Sequence, residues 1–230
     1  MIHYIIKNTR YKYILAVVAF LIVFLTLIKM EGMKGTDTVR VIFGGILLDR
    51  PIKQFAFIVN MSLVQFINAD TVLLLIKRNE YFMFRCKKRS SLLVGLLIDI
   101  IISDFIFVIL AFASFVVVTR MLQGTLSELP YGMLMGIFGR GWLTCILISV
   151  LQIISLIKLD EMYSFLVMLG LSVLGFFMSY LNLGAFSPFP VEFMGWKRLE
   201  NILICIIYIV GTMIIAYVLY QKKDVSANDY

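Results

Sequence analysis

The sequence predicts an all-α integral membrane protein: six transmembrane helices, preceded by an interfacial elbow helix and carrying one short cytoplasmic helix. Three observations carry this. The 230-residue chain is 61% hydrophobic and only 15% charged, where a soluble domain carries about a quarter charged residues. Its apolar runs are continuous rather than alternating, the pattern of helices and not of an outer-membrane barrel. With 19 Phe and 13 Met but only 4 Pro, the chain exposes more apolar surface than one water-soluble core can hide. Lipid is then the solvent, and the backbone must be satisfied within each spanning segment.

The spans fall at about 13–28, 55–76, 92–119, 141–157, 163–181 and 201–220, within a single transmembrane domain covering 1–230. A crossing needs about 20 apolar residues. The first run is slightly short, and Tyr11, Lys12, Tyr13 and Lys29 are expected to anchor it at the two interfaces. Lys7, Arg10 and Lys12 ahead of an apolar run also suit a secretory signal. However, Lys29-Met30-Glu31-Gly32 follows in place of a small-x-small cleavage site, so the segment reads as a retained span. The third run is long enough to tilt or project. The fourth has two readings, because the apolar stretch Tyr131–Gly139 precedes Arg140: the helix begins early, or a re-entrant piece comes before it.

Orientation follows the basic residues. The cluster Lys77, Arg78, Arg85, Lys87, Lys88 and Arg89 lies directly between two spans and places that loop in the cytoplasm. With the N-terminus inside, the cytoplasmic segments hold 12 Lys or Arg against 9 outside. An even number of spans then leaves both termini cytoplasmic, in a multi-pass protein of the plasma membrane. The formal charge of +7 points to the anionic inner leaflet as partner. No soluble basic stripe with interleaved aromatics suggests nucleic acid.

Three cysteines, Cys86, Cys145 and Cys205, and the single His3 make neither a disulfide framework nor a ligand cluster. GxSxG, HExxH and GxxxxGK[ST] patterns are absent. No catalytic residue is assigned, and ATP hydrolysis by a Walker-type site in this chain is excluded. The second span carries Asn60, Gln65, Asn68 and Asp70, and the third Asp99 and Asp104. Ionisable groups at membrane depth face protein or water. Asp99 and Asp104 lie five apart, about 140° around a helix, and need not share a face. Asp70, Asp99 and Asp104 are read either as a proton or substrate relay or as interhelical packing, with Arg140 or Lys158 as partners.

The stretch Lys77–Ser91, KRNEYFMFRCKKRSS, sets Glu80 before the aromatics Tyr81, Phe82 and Phe84, then Arg85 and a basic run. Such a segment forms an amphipathic helix that lies on the membrane or docks into a partner's groove. Three features occur together: a basic, aromatic N-terminal segment suited to an elbow, this loop, and a last span ending Tyr217-Val-Leu-Tyr-Gln-Lys-Lys-Asp224-Val225. Together they resemble the permease subunits of type-2 ABC exporters. In that family an elbow precedes six spans, and the loop after the second span is a coupling helix containing a glutamate and a later arginine. The segment 182–200, with Ser187-Pro188-Phe189-Pro190, resembles the family's extracellular loop before the last span. Tyr81–Phe84 stand where the family usually has a small residue.

The resemblance implies a non-catalytic subunit that pairs with a second permease copy or paralogue and docks on a separate cytoplasmic ABC ATPase through Glu80, Tyr81, Phe82, Phe84 and Arg85. ATP and Mg would be bound by that ATPase, and no cofactor by this chain. Small Ile-, Phe- and Lys-rich members resembling it occur among Gram-positive exporters of peptides, including those for bacteriocin immunity and cytolytic-peptide secretion. The rival reading is a proton-coupled secondary transporter that uses the intramembrane aspartates.

Overall fold

The computed structural model describes residues 2–31, 51–77, 89–123, 131–180 and 198–222. Among them are six helices and no strand: α1 (Ile2–Glu31), α2 (Pro51–Lys77), α3 (Arg89–Gln123), α4 (Tyr131–Lys158), α5 (Glu161–Tyr180) and α6 (Arg198–Lys222). Four hold stretches long and apolar enough to cross a membrane: Tyr11–Lys29, Ser90–Met121, Met135–Lys158 and Ile202–Gln221. The described apolar stretches of α2 and α5, Ala56–Ala69 and Met162–Leu171, are shorter. The chain therefore has the character of a transmembrane protein.

Local chemistry explains several boundaries. Neither Gly nor Pro occurs between Ile2 and Glu31, so nothing interrupts α1. The segment expected to form an elbow is consequently the leading part of one helix. Pro51 opens α2, where its missing N–H is no loss. Pro130 stands just before α4, which starts at Tyr131 and runs through Gly136, Gly139 and Arg140 without a break. Among the described residues the fourth run thus starts early, and Tyr131–Gly139 belongs to the same helix as Arg140. α3, at 35 residues, is about 52 Å long at 1.5 Å per residue, well beyond a hydrocarbon core of about 30 Å. Only Leu159 and Asp160 separate α4 from α5. There Leu159 N–H donates to the Ser155 carbonyl and Ser164 N–H to the Asp160 carbonyl, while the Ser155 and Ser164 hydroxyls bond each other across the turn.

α4 is the central helix. Its apolar window is 72% buried, against 22–33% for the windows of α1, α3 and α6. The outer faces of those three carry Ile14, Ile22, Ile98, Val117, Ile207 and Ile214 in the open, as lipid-facing surfaces do. Two apolar clusters fill the ends of the bundle. One joins Phe20 and Phe24 of α1 to Val64 and Ile67 of α2, Phe107 and Phe115 of α3, and Ile137 and Cys145 of α4. The other joins Val72, Leu96, Ile100, Ile153, Leu156 and Tyr220. A third packs Met61, Leu147, Met168 and Cys205 between α2, α4, α5 and α6. On α2, α3 and α4 the first cluster gives way to the second at Asn68, Asp104 and Ser149, all of them polar.

Candidate functional site

At that junction lies a connected polar network drawn from four helices. Asn68 of α2 donates one amide hydrogen to Asp104 Oδ1 at 2.7 Å and the other to Ser149 Oγ at 2.9 Å. Ser149 of α4 donates its hydroxyl to Asp104 Oδ2 at 2.9 Å. Ser103 of α3 donates to Asn68 Oδ1 at 2.8 Å. Tyr13 OH of α1 lies 2.6 Å from Ser103 Oγ. Because Ser103 has spent its only hydrogen on Asn68, Tyr13 must be the donor. The directions are then all determined, and both Asp104 oxygens are acceptors. Turning the Asn68 amide over would set its oxygen against Asp104 and its nitrogen against the Ser103 hydroxyl, so the network itself selects the orientation.

The surroundings make the network consequential. Asp104 and Asn68 are each 1% exposed, and Ser149 is fully buried. In an apolar interior an unpaired polar group costs about 1–3 kcal/mol, and more if charged; a satisfied network rigidifies what it joins. The geometry suits a clasp better than a proton wire. Between Tyr13–Ser103 and Asp104 stands the Asn68 amide, which cannot pass a proton along as a hydroxyl does without leaving its amide form.

Lys12 lies at the same depth. Its ammonium donates to the Phe66 main-chain carbonyl at 3.3 Å and stands 4.8 Å from the centre of the Phe66 ring, in a side chain 4% exposed. Phe66 is eleven residues before the end of α2 at Lys77, roughly 16 Å along the helix. Ser103, the partner of Tyr13, is fourteen residues from the start of α3, roughly 21 Å. Lys12 and Tyr13 are therefore drawn into the bundle. Their side chains thus meet α2 and α3, in addition to whatever depth they take in a bilayer. A buried cation on a backbone carbonyl and an aromatic face is one of the few arrangements an apolar interior accommodates.

The expected site residues separate. Asp104 sits on the buried stripe of α3 with Leu96, Ile100, Phe107 and Ala111. Its bonds come from the neutral Asn68 and Ser149. The partners considered for it lie elsewhere: Lys158 is exposed, and Arg140 Nε donates to the Gly136 carbonyl of its own helix at 3.3 Å. Asp99 is on another face, half-buried, and its Oδ2 is buried without a hydrogen bond. Asp70 belongs to α2, two residues beyond Asn68, and its side chain is outside the described residues, as are Glu80, Tyr81, Phe82, Phe84, Arg85 and Cys86. Cys145 and Cys205 are buried free thiols. Tyr13, Ser103 and Ser149 enter the network with no distinguishing mark in the sequence, since lone hydroxyls are common in apolar helices.

A second feature is a cleft of about 360 Å³ between α2, α4 and α5, lined by Gln65, Phe66, Ala69, Gln152, Leu156, Met162 and Phe165. Gln152 Nε2 donates to the Gln65 main-chain carbonyl at 3.2 Å. The side-chain oxygens of both glutamines are buried and receive no hydrogen bond. Comparison with family models, with curated proteins and with solved structures gives no match to this chain.

Proposed function

We propose that this chain is the non-catalytic membrane subunit of an ATP-driven exporter of the type-2 ABC kind. What carries the reading is the order of elements around segment 78–88. Two long helices, α2 and α3, are joined by a short connection holding Glu80, three aromatics and a basic run, and the last described helix ends at Lys222, which Lys223 and Asp224 follow in the sequence. In this reading all six helices cross the plasma membrane. The elbow is the leading part of α1, both termini are cytoplasmic, and segment 78–88 docks on a separate ATPase that binds ATP and Mg. Two permease copies, or one and a paralogue, then form the path for an amphipathic or hydrophobic substrate, peptide first. Movement of the ATPase reaches the bundle through α2 and α3. These are the helices tied together by Asn68 and Asp104, so a push at the loop moves the clasp.

A proton-coupled secondary transporter is the second reading, favoured by the burial of Asp104 in the middle of the bundle. Against it stands the fixed set of donors on both Asp104 oxygens.

The test is co-expression with an ATPase carrying a phosphate-binding loop whose gene adjoins that of this chain, followed by co-purification and ATP hydrolysis in proteoliposomes with added apolar peptide. Association and peptide-stimulated hydrolysis support the exporter. Transport that needs a proton gradient and no ATPase overturns it.

A further inference from the structure

We propose that α2 has a second register in the bundle, one turn nearer segment 78–88, in which Gln65 takes over the clasp from Asn68. The helix directions define the step. α2 runs from Val64 and Ile67 in the first apolar cluster to Val72 in the second, and α4 runs the same way, from Ile137 and Cys145 to Ile153 and Leu156. α3 runs oppositely, from Leu96 and Ile100 to Phe107 and Phe115. Moving α2 toward Lys77 by three residues, about 4.5 Å with a turn of about 60°, sets each residue where the one three places later now stands. Gln65 then occupies the place of Asn68. Asn68 passes from the level of Ser149 to that of Gln152, three residues further along α4.

Two enclosed acceptors fit the second register better than the first. The side-chain oxygens of Gln65 and Gln152 are buried and receive no hydrogen bond from the protein, which is unfavourable for an enclosed polar atom. Gln65 carries the same amide as Asn68 on one more methylene. In the second register its nitrogen faces Asp104 and Ser149, and its oxygen meets the hydroxyl that Ser103 now gives to Asn68. The Asn68 amide, released from Asp104, comes to the oxygen of Gln152. Bonds to the main chain re-form after the step, because a helix repeats its carbonyls at every turn. Gln152 Nε2 exchanges the Gln65 carbonyl for that of Ser62, and the Lys12 ammonium exchanges the Phe66 carbonyl for that of Leu63.

Packing permits the same step. Met61, Val64 and Ile67 are buried and three apart, so an apolar side chain replaces an apolar one. Phe66 moves to the place of Ala69, and the cleft of about 360 Å³ that both residues line gives the larger side chain room. The step gives up the contact of Lys12 with the Phe66 ring, which makes the present register the resting one. One-turn movements of one element past another are an established form of switching. In the exporter a pull on segment 78–88 would drive this one. That use rests on the exporter reading, whereas the two registers do not.

The test is pulsed electron double resonance on the full-length chain in nanodiscs of phosphatidylcholine and phosphatidylglycerol, without ATPase. Spin labels are attached at Val59→Cys on α2 and Ser91→Cys on α3 over Cys86→Ser, since Cys145 and Cys205 are buried. Val59 is half-buried, as is Ser62, whose place it takes after the step, and Ser91 is exposed. The labels lie on opposite sides of the clasp, nine residues from Asn68 and thirteen from Asp104, so their separation reads the step nearly in full. Asn68→Ala removes the clasp of the first register without adding bulk and should shorten the distance by about 4 Å. Adding Gln65→Leu should remove the shorter distance, or the folded protein with it, since neither register then holds Asp104. An Asn68→Ala protein that keeps the unaltered distance overturns the proposal. One that fails to fold overturns it too, because Gln65 would then not replace Asn68. A shorter distance that persists without Gln65 also overturns it. Absence of ATPase association with the shorter distance present sinks the exporter alone. ATPase association without the shorter distance sinks the second register alone.

Discussion

Asn68 and Asp104, 36 residues apart and on different helices, are joined by a 2.7 Å hydrogen bond at the level where one apolar cluster of the bundle ends and the next begins. Above and below this level α2 and α3 are held by side-chain packing, which sets distance well but tolerates sliding. The bond sets register, since only one pairing of donors and acceptors satisfies Ser103 and Ser149 as well.

Replacing Asp104 therefore separates packing from proton chemistry. Asp104→Ala leaves the Asn68 and Ser149 donors unmet and should destabilise the bundle by about 1–3 kcal/mol, read as a lower thermal midpoint in detergent. Asp104→Asn keeps the shape and the acceptor facing Asn68 and should lose less. If transport survives Asp104→Asn, proton coupling through this residue is excluded. Abolished transport with normal protein levels would favour the secondary-transporter reading.

Lys12 offers an independent probe of depth. Lys12→Met retains an apolar stem that packs where the lysine stem does, but loses the bond to the Phe66 carbonyl and the contact with its ring. A desolvated cation–aromatic contact is worth about 2 kcal/mol. A loss of that order is expected in unfolding from micelles. If Lys12 were an interfacial anchor, the substitution would leave stability within about 0.5 kcal/mol.

Phe24 of α1 meets Phe115 of α3 edge to face, with centroids 5.5 Å apart and planes at 83°. A double-mutant cycle with Phe24→Leu and Phe115→Leu should return a coupling of about 0.5–1.5 kcal/mol. Strict additivity would contradict the docking of α1 on α3.

Topology is tested by cysteine accessibility. Cys145 and Cys205 are buried, so Cys86→Ser alone supplies a silent background. Val225→Cys should then react only from the cytoplasmic side and Pro190→Cys only from outside. Reaction of both from one side would remove the six-span arrangement.

Coupling is tested on the loop. Glu80→Ala or Phe82→Ala should leave insertion unchanged and weaken ATPase association about tenfold to thousandfold, the range for a truncated interface anchor of about 1–4 kcal/mol. Normal association and export in both variants would reject segment 78–88 as the docking element. In a lipid-facing loop the sensitive change would instead be joint neutralisation of Arg85, Lys87, Lys88 and Arg89, seen as altered topology.

The sequence alone determined that the chain is helical and built for lipid, because composition and run length answer directly to the cost of leaving a backbone unpaired in hydrocarbon. It also located four of the six described helices to within about four residues at each end, while α1 and α4 start at Ile2 and Tyr131, well ahead of the expected 13 and 141, and it showed that Asp99 and Asp104 need not share a face. Only the tertiary structure decided which polar residues meet. In a helix that is apolar all round no periodic stripe marks the buried side. Asp104 and Asp99 look alike in the sequence, yet one is enclosed by Asn68, Ser103 and Ser149 and the other stands half-open. Lys12 and Tyr13 show the same limit. As residues they suit an interface, but α1 is one uninterrupted helix, and its docking against α2 and α3 brings them to a carbonyl and a hydroxyl inside the bundle. Which groups come together depends on the register between helices, and register is set by contacts between residues that are far apart in the chain.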